Sequence, residues 1–359
     1  MTRRTITGFL GALVAFVVFS APASAAAPPA GFGLSHHRVC GAQPFGFARC
    51  HSVVVDRNGV TPSAATPQGL DPATIKGIYG FSVANNAGAG KTIAIVDAYD
   101  DPTIANDLGV FSSQFGLPAC GTGCFTKVNQ TGGTSYPRAN SGWALEISLD
   151  VEWAHAIAPG ANILLVEAKS NSFTNLVAAE DYAKAHAQYV SNSWGGSEFS
   201  GESTYDSHFS QSGVSFFVSS GDAGLPAEYP SSSPNVISVG GTTLHFDGSG
   251  NFTSETGWSS GGGGCSTQET ATSAQSGFAG YGQVNCNGTR ATPDVSLDAD
   301  PASGVSVYDT TSYQGVTGWF VVGGTSASSP MWAAASAVAG AVVNSAYVYG
   351  NSITYRDIT

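Results

Sequence analysis

Gly323-Gly324-Thr325-Ser326-Ala327-Ser328-Ser329-Pro330 separates an aromatic and β-branched run, Thr317 to Val322, from an alanine- and valine-rich run, Met331 to Val343. The first run reads as a buried strand and the second as a helix. Ser326 therefore stands where a strand ends and a helix begins. Two glycines let the backbone turn sharply there, and a helix start offers unpaired N–H groups and a positive dipole end to a nearby hydroxyl. That setting suits a nucleophile. It equally suits an N-cap, and the hydroxyl alone does not separate the two roles. A nucleophile needs a base, which must come from upstream.

Upstream, helix-like and strand-like runs alternate in a glycine-rich chain with 46 Gly and only 11% charged residues. This pattern predicts one large α/β domain with many loops. The first 25 residues combine an early Arg3-Arg4 pair, an apolar run and an Ala23-Ser24-Ala25 ending, the marks of a signal peptide cleaved after Ala25. Removing that leader, which carries two arginines and no acid, moves the formal charge from −12 to −14. Such a chain repels nucleic acid and anionic membranes, and no later stretch is long and apolar enough to span a bilayer. The expectation is a secreted, extracellular protein. Six cysteines in an exported chain favour disulfides, with Cys40/Cys50, Cys120/Cys124 and Cys265/Cys286 as near-neighbour pairs, although six cysteines allow fifteen connectivities. Residues 26–70, with Ala/Pro runs and weak periodicity, read as a short pro-segment or linker. The folded domain, 71–359, is expected to open on a helix with Asp71 as cap and Pro72 in the first turn.

The acids follow in order. Thr92 to Val96 is a continuous apolar strand that delivers Asp97 to its carboxyl end, where open α/β sheets place their sites. In the helical stretch Gly142 to Ile157, Glu146 and Asp150 share one face, and their neighbours are so apolar that the helix looks buried. Two buried acids without a local base share a proton or hold one raised pKa, which suits a general base working in acid; a solvated stripe on a core helix is the plain alternative. The strand Tyr189 to Ser193 runs into Trp194-Gly195-Gly196, whose glycines admit an extended ligand. The strand Val214 to Val218 runs into Ser219-Ser220-Gly221-Asp222, and Val236 to Val239 is a further strand with a glycine-rich exit. Residues 246–290 read as a surface excursion pinned by Cys265 and Cys286.

Taken together, Glu146-x-x-x-Asp150, Ser193-Trp194-Gly195, Ser220-Gly221-Asp222 and Gly324-Thr325-Ser326-x-x-x-Pro330 resemble the motifs of the sedolisins, the serine-carboxyl peptidases. The resemblance extends over about residues 70 to 359. It implies a subtilisin-like three-layer fold, with a mainly parallel central sheet flanked by helices. It implies that Ser326 attacks the scissile carbonyl, that Glu146 takes its proton, that Asp150 orients Glu146, and that a protonated Asp222 stabilises the oxyanion. Ser193, Trp194, Gly195, Ser220 and Gly221 would hold an extended polypeptide substrate. The implied activity is that of a secreted endopeptidase active in acid, and a monomer is expected. Sedolisins also carry a carboxyl-terminal calcium site, for which this chain offers Asp357 and Ile358 before Thr359. Two other readings are a non-catalytic binding protein on the same fold and an Asp97/His155/Ser326 triad. The second lacks the motif that would put its histidine at the start of a helix.

Overall fold

The structure, a computed structural model, describes residues 34–57, 64–351, 355, 356 and 358. The expected signal peptide lies outside the described residues. The core is an eight-stranded sheet in the order Phe252–Gly257, Ile237–Phe246, Ser215–Ser219, Tyr189–Asn192, Thr92–Ala98, Asn162–Ala168 and Phe125–Asn129, with Val295–Asp298 also paired to Ile237–Phe246. All pairings are parallel except that of Phe252–Gly257. A buried parallel sheet needs strands that are apolar on both faces, and Ile93, Ala94, Ile95 and Val96 are all fully buried.

Helices Ser141–Ile157, Phe173–His186 and Thr325–Ala339 pack on this sheet, and the first and third also pack on each other. Ser141–Ile157 is buried over nearly its whole length, including Trp153, Leu145 and Leu149. The solvated stripe is thereby excluded: Glu146 and Asp150 are both 0% exposed. Asn140 caps this helix by accepting from the backbone N–H groups of Gly142 and Trp143, each at 3.1 Å. Asp71 caps the helix Pro72–Tyr79 through Thr74 N at 2.7 Å, as its position before a proline predicts.

Three differences from the sequence reading have plain causes. The strand expected to stop at Val239 runs on through Gly240 and Gly241 to Phe246, because those glycines lie under close neighbours: a Cβ on Gly241 would be 2.6 Å from the Ala299 side chain. The stretch 246–290 is only partly an excursion, since Phe252–Gly257 forms the sheet edge and Gly264–Thr270 pairs with Thr289–Thr292. Trp194 is not in a loop but in a second short strand, Trp194–Ser197. All three near-neighbour cysteine pairs are disulfides.

The amino-terminal segment, whose sequence has little periodicity, is built into the fold. Leu34–Arg38 and Val53–Arg57 join Val316–Gly323 and Val305–Tyr313 in an antiparallel four-stranded sheet, and Arg49–Cys50 pairs with Trp194–Ser197. Its order comes from partners distant in the chain.

Candidate active site

The strand Val316–Gly323 ends at Gly324, and the helix Thr325–Ala339 starts one residue before Ser326. Gly324 has φ +95°, and a Cβ there would lie 2.0 Å from the carbonyl oxygen of His51, so only glycine fits. Pro330 sits inside this helix and cannot donate to the carbonyl four residues back, that of Ser326. Ser193 Oγ donates to that carbonyl instead, at 3.4 Å. Ser326 Oγ in turn donates to the carbonyl of Ser193 at 3.5 Å. The proline in the motif thus helps join the nucleophile helix to the strand end at Ser193.

Glu146 and Asp150 approach this point from the buried helix, and Asp97 from the central strand. None of the six carboxyl oxygens of these residues has a hydrogen-bond partner of ordinary geometry among the described residues. Burial pushes Glu146 up to about 8; Ser326 and Ser52 lie close enough to favour its ionised form but do not offset the loss of water, and Asp222 opposes them. Burial, then the neighbouring Asp97 and Glu146, raises Asp150 well above the carboxylate range, while burial with Glu146 and Glu167 does the same to Asp97. Three buried carboxyl groups that repel one another give up their protons in succession rather than together, so the ionised form of one, which is the form able to accept a proton, occurs with its neighbours still protonated.

Asp222 follows the strand Ser215–Ser219 and is 4% exposed. Its Oδ1 accepts from Thr325 N at 2.8 Å and from Thr325 Oγ1 at 2.9 Å, while Oδ2 has no partner among the described residues. Burial raises its pKa against the opposing effects of His51 and Thr325. A protonated Asp222 therefore has an oxygen to spare as a donor. Gly221 takes φ +104° and donates its N–H to Thr325 Oγ1, which ties this loop to the nucleophile helix. Ser220 Oγ donates to Gly262 O, so its side chain serves the loop. The Trp194 indole is fully buried and donates to Val96 O at 2.9 Å; only its backbone belongs to the cleft.

The chain's own residues 49–52 lie in that cleft. Arg49 and Cys50 pair antiparallel with Gly195 and Trp194. The His51 N–H donates to Ser193 O at 3.1 Å, and Ser326 N–H donates to His51 O at 3.4 Å. The His51 carbonyl is thus held at the backbone N–H of the candidate nucleophile, in the neighbourhood of Asp222. Its imidazole contacts Ser219 Oγ through Nδ1 at 2.7 Å and Glu228 Oε2 through Nε2 at 3.1 Å, and Arg49 pairs with the other oxygen of Glu228. Sequence reasoning missed His51, Arg49, Ser219 and Glu228. The one local signal was the short loop closed by the Cys40–Cys50 disulfide, next to His51 in the chain; nothing local links it to Glu228.

The geometry does not favour the Asp97/His155/Ser326 triad. His155 is fully buried, with Nε2 bonded to Pro118 O at 2.9 Å, and both ring nitrogens of His51 are engaged by Ser219 and Glu228. Calcium takes about six to eight oxygens. Of the expected pair, Asp357 lies outside the described residues, and Ile358 would offer the ion its backbone carbonyl. Elsewhere, Cys120, Cys124 and His155 approach one another, but the cysteines are joined as a disulfide. Asp101, Asp107 and Asp309 bring carboxylate oxygens within 4.8 Å of one another, and Thr103, Thr310 and Thr311 donate to them. Burial, with Asp101 and Asp107 nearby, pushes Asp309 up to about 9, as befits a cluster that holds protons.

Residues 83–355 match the profile of the subtilase family. Sedolisin from Pseudomonas sp. (strain 101) is 28% identical over 307 residues, which is 76% of this chain and 50% of the relative. Kumamolisin from Bacillus sp. (strain MN-32) is 30% identical over 310 residues, 76% of this chain and 52% of the relative. The chain spans about half the length of the curated relatives it matches. Among solved structures, the Pseudomonas sedolisin, a serine-carboxyl proteinase complexed with two molecules of pseudo-iodotyrostatin, superposes with a TM-score of 0.65 at 28% identity. That likeness covers 81% of this chain and 86% of the other.

Proposed function

This chain belongs to the subtilase family, in company with the sedolisins, and on that premise we propose that it is a secreted serine-carboxyl endopeptidase that cleaves polypeptides in acid. Ser326 is the nucleophile. Glu146 removes its proton and returns it to the leaving amine, Asp150 orients Glu146 and holds the shared proton, and neutral Asp222 donates to the oxyanion beside the Ser326 N–H. Ser193 and Gly195 bind the substrate strand through their backbones. Residues 26–70 form the pro-segment and 71–359 the peptidase domain, with export following cleavage after Ala25.

The observation that carries this reading is the convergence on Ser326: an extended strand lies antiparallel to Trp194–Gly195, with its His51 carbonyl on the Ser326 N–H and three buried acids close by. The acid requirement follows from Asp222, which donates only while protonated. No described helix is long and apolar enough to cross a membrane, in keeping with a protein that acts free of the bilayer once its leader is removed.

The test is hydrolysis of a denatured protein by the purified full chain from pH 3 to 8, alongside Ser326→Ala and Glu146→Gln. Turnover confined to acid and lost in both variants, each folded by circular dichroism, is the expected result. A rate that climbs steadily to pH 8, or an active Glu146→Gln, overturns the mechanism.

A further inference from the structure

Residues two apart in an extended strand point to the same side. Arg49 and His51 obey this rule, and both side chains end on one carboxylate, that of Glu228. Glu228 is 6% exposed and belongs to a two-residue strand that pairs with the far end of Trp194–Ser197. The same short strand therefore holds the peptide backbone on one edge and the acid that meets the peptide's side chains on the other. Around the imidazole the walls are small and polar. Ser219 Oγ meets Nδ1 at 2.7 Å, and a Cβ on Gly195 would lie 2.8 Å from His51 Cε1, so the absence of a side chain at 195 is what admits the ring. A Cβ on Gly221 would come within 3.1 Å of the Glu228 carboxyl group. Both glycines thus keep the subsite open.

We infer that the subsite for the residue preceding the scissile bond is built for histidine, with Glu228 and Ser219 as its specificity-determining residues, and that this peptidase selects substrates of the pattern Arg-x-His, cut after the histidine. The inference rests on the proposed peptidase reading and narrows it to a substrate class. Its template is the chain itself, whose Arg49-Cys50-His51-Ser52 occupies the site with the His51–Ser52 bond at Ser326. In that register Ser326 Oγ adds to the His51 carbonyl carbon, and the hydroxyl proton passes to Glu146. The C–N bond to Ser52 breaks as Glu146 hands that proton to the Ser52 nitrogen. Water then releases His51 as a carboxylic acid and restores the serine hydroxyl.

Electrostatics favour cations in both positions. Burial acts to raise Glu228, but the hydrogen bond and charge of His51, followed by those of Arg49, outweigh it and hold this carboxyl below its usual range. Glu228 therefore stays ionised in the acid in which its neighbours are protonated. An apolar residue in place of histidine would leave a buried carboxylate short of a partner, a costly arrangement. A glutamate there would face a like charge.

The test uses internally quenched peptides Phe-Ala-Arg-Ala-X-Ser-Val-Val, with X as His, Leu or Glu, at pH 4. It is paired with hydrogen exchange at residues 49–52 in the full-length Ser326→Ala protein, which reads the subsite without turnover. The expected result is kcat/KM at least tenfold higher for His than for Leu, with a ratio that collapses toward one in Glu228→Gln. Amides 49–52 should be protected in Ser326→Ala and lose at least tenfold in protection when Glu228→Gln is added. Turnover with equal rates for all three peptides refutes the specificity while leaving the peptidase reading intact. If no peptide is cut by protein that acid incubation has cleaved after His51, the specificity fails together with the peptidase reading; if acid incubation never cleaves after His51, the register at Ser326 is refuted; and protection at 49–52 that ignores Glu228→Gln refutes the subsite independently.

Discussion

Glu180 offers a clean measure of what buried acids do to this protein, because it takes no part in the proposed chemistry. It lies on the helix Phe173–His186, is 0% exposed, and neither of its oxygens has a hydrogen-bond partner of ordinary geometry among the described residues. Burial pushes it from 4.5 up to about 8, with Asn192 and Lys184 opposing and Asp181 assisting. Below pH 4.5 folded and unfolded chains both hold the proton. Between 4.5 and 8 only the unfolded chain releases it, so the folded state loses ground as pH rises. A shift of about 3.5 pH units at about 1.36 kcal/mol each gives at most about 5 kcal/mol. A typical domain has only about 5–15 kcal/mol in total. Glu202, pushed by burial to about 8, and Glu167, to about 9, act in the same direction. We therefore expect the Tm to be highest in acid and to fall from pH 4.5 to 9. The perturbation is Glu180→Gln in a Ser326→Ala background, which prevents self-digestion. Scanning calorimetry at pH 4, 6 and 8 should find the variant close to its parent at pH 4 and more stable by on the order of 10 °C at pH 8. Parallel Tm profiles for the two proteins, or a Tm that rises from pH 4.5 to 8, would refute the reasoning.

Three further outcomes follow from the site and its supports. Asp222→Ala should lower kcat by about 10²–10³, whereas Asp222→Asn, whose amide donates at every pH, should keep more activity and extend it toward neutral pH; a pH profile of both variants decides this. Trp194→Ala empties a fully buried site and removes the bond to Val96 O, so it should cost about 3–5 kcal/mol in urea denaturation even though its backbone still lines the cleft. Replacing Cys40 and Cys50 together by serine should leave the central sheet folded while hydrogen exchange at residues 49–52 quickens, because the disulfide closes the loop that presents this segment.

Much of the frame was legible because it is written at short range. The apolar strands, the Asp71 cap, the four-residue spacing of Glu146 and Asp150 and the glycine-braked turn before Ser326 are local patterns, and each element formed close to its expected position. The disulfides joined neighbours. Local glycines misled where they looked like strand exits, since Gly240 and Gly241 continue a strand beneath packed side chains. Trp194 misled likewise: an aromatic residue in a binding motif turned out to be a core support whose backbone alone meets the cleft.

The elements, and the order in which the acids and the serine occur along them, follow from local pattern, because hydrophobic period, caps and turn residues act over a few positions. Which groups share the cleft depends instead on long-range packing. His51 and Glu228 are separated by 177 residues, and Ser326 and Ser193 by 133. Such contacts are chosen by the pairing of whole strands and the burial of whole helices. The weakly patterned amino-terminal segment therefore took its place from the surfaces it fits rather than from any preference of its own.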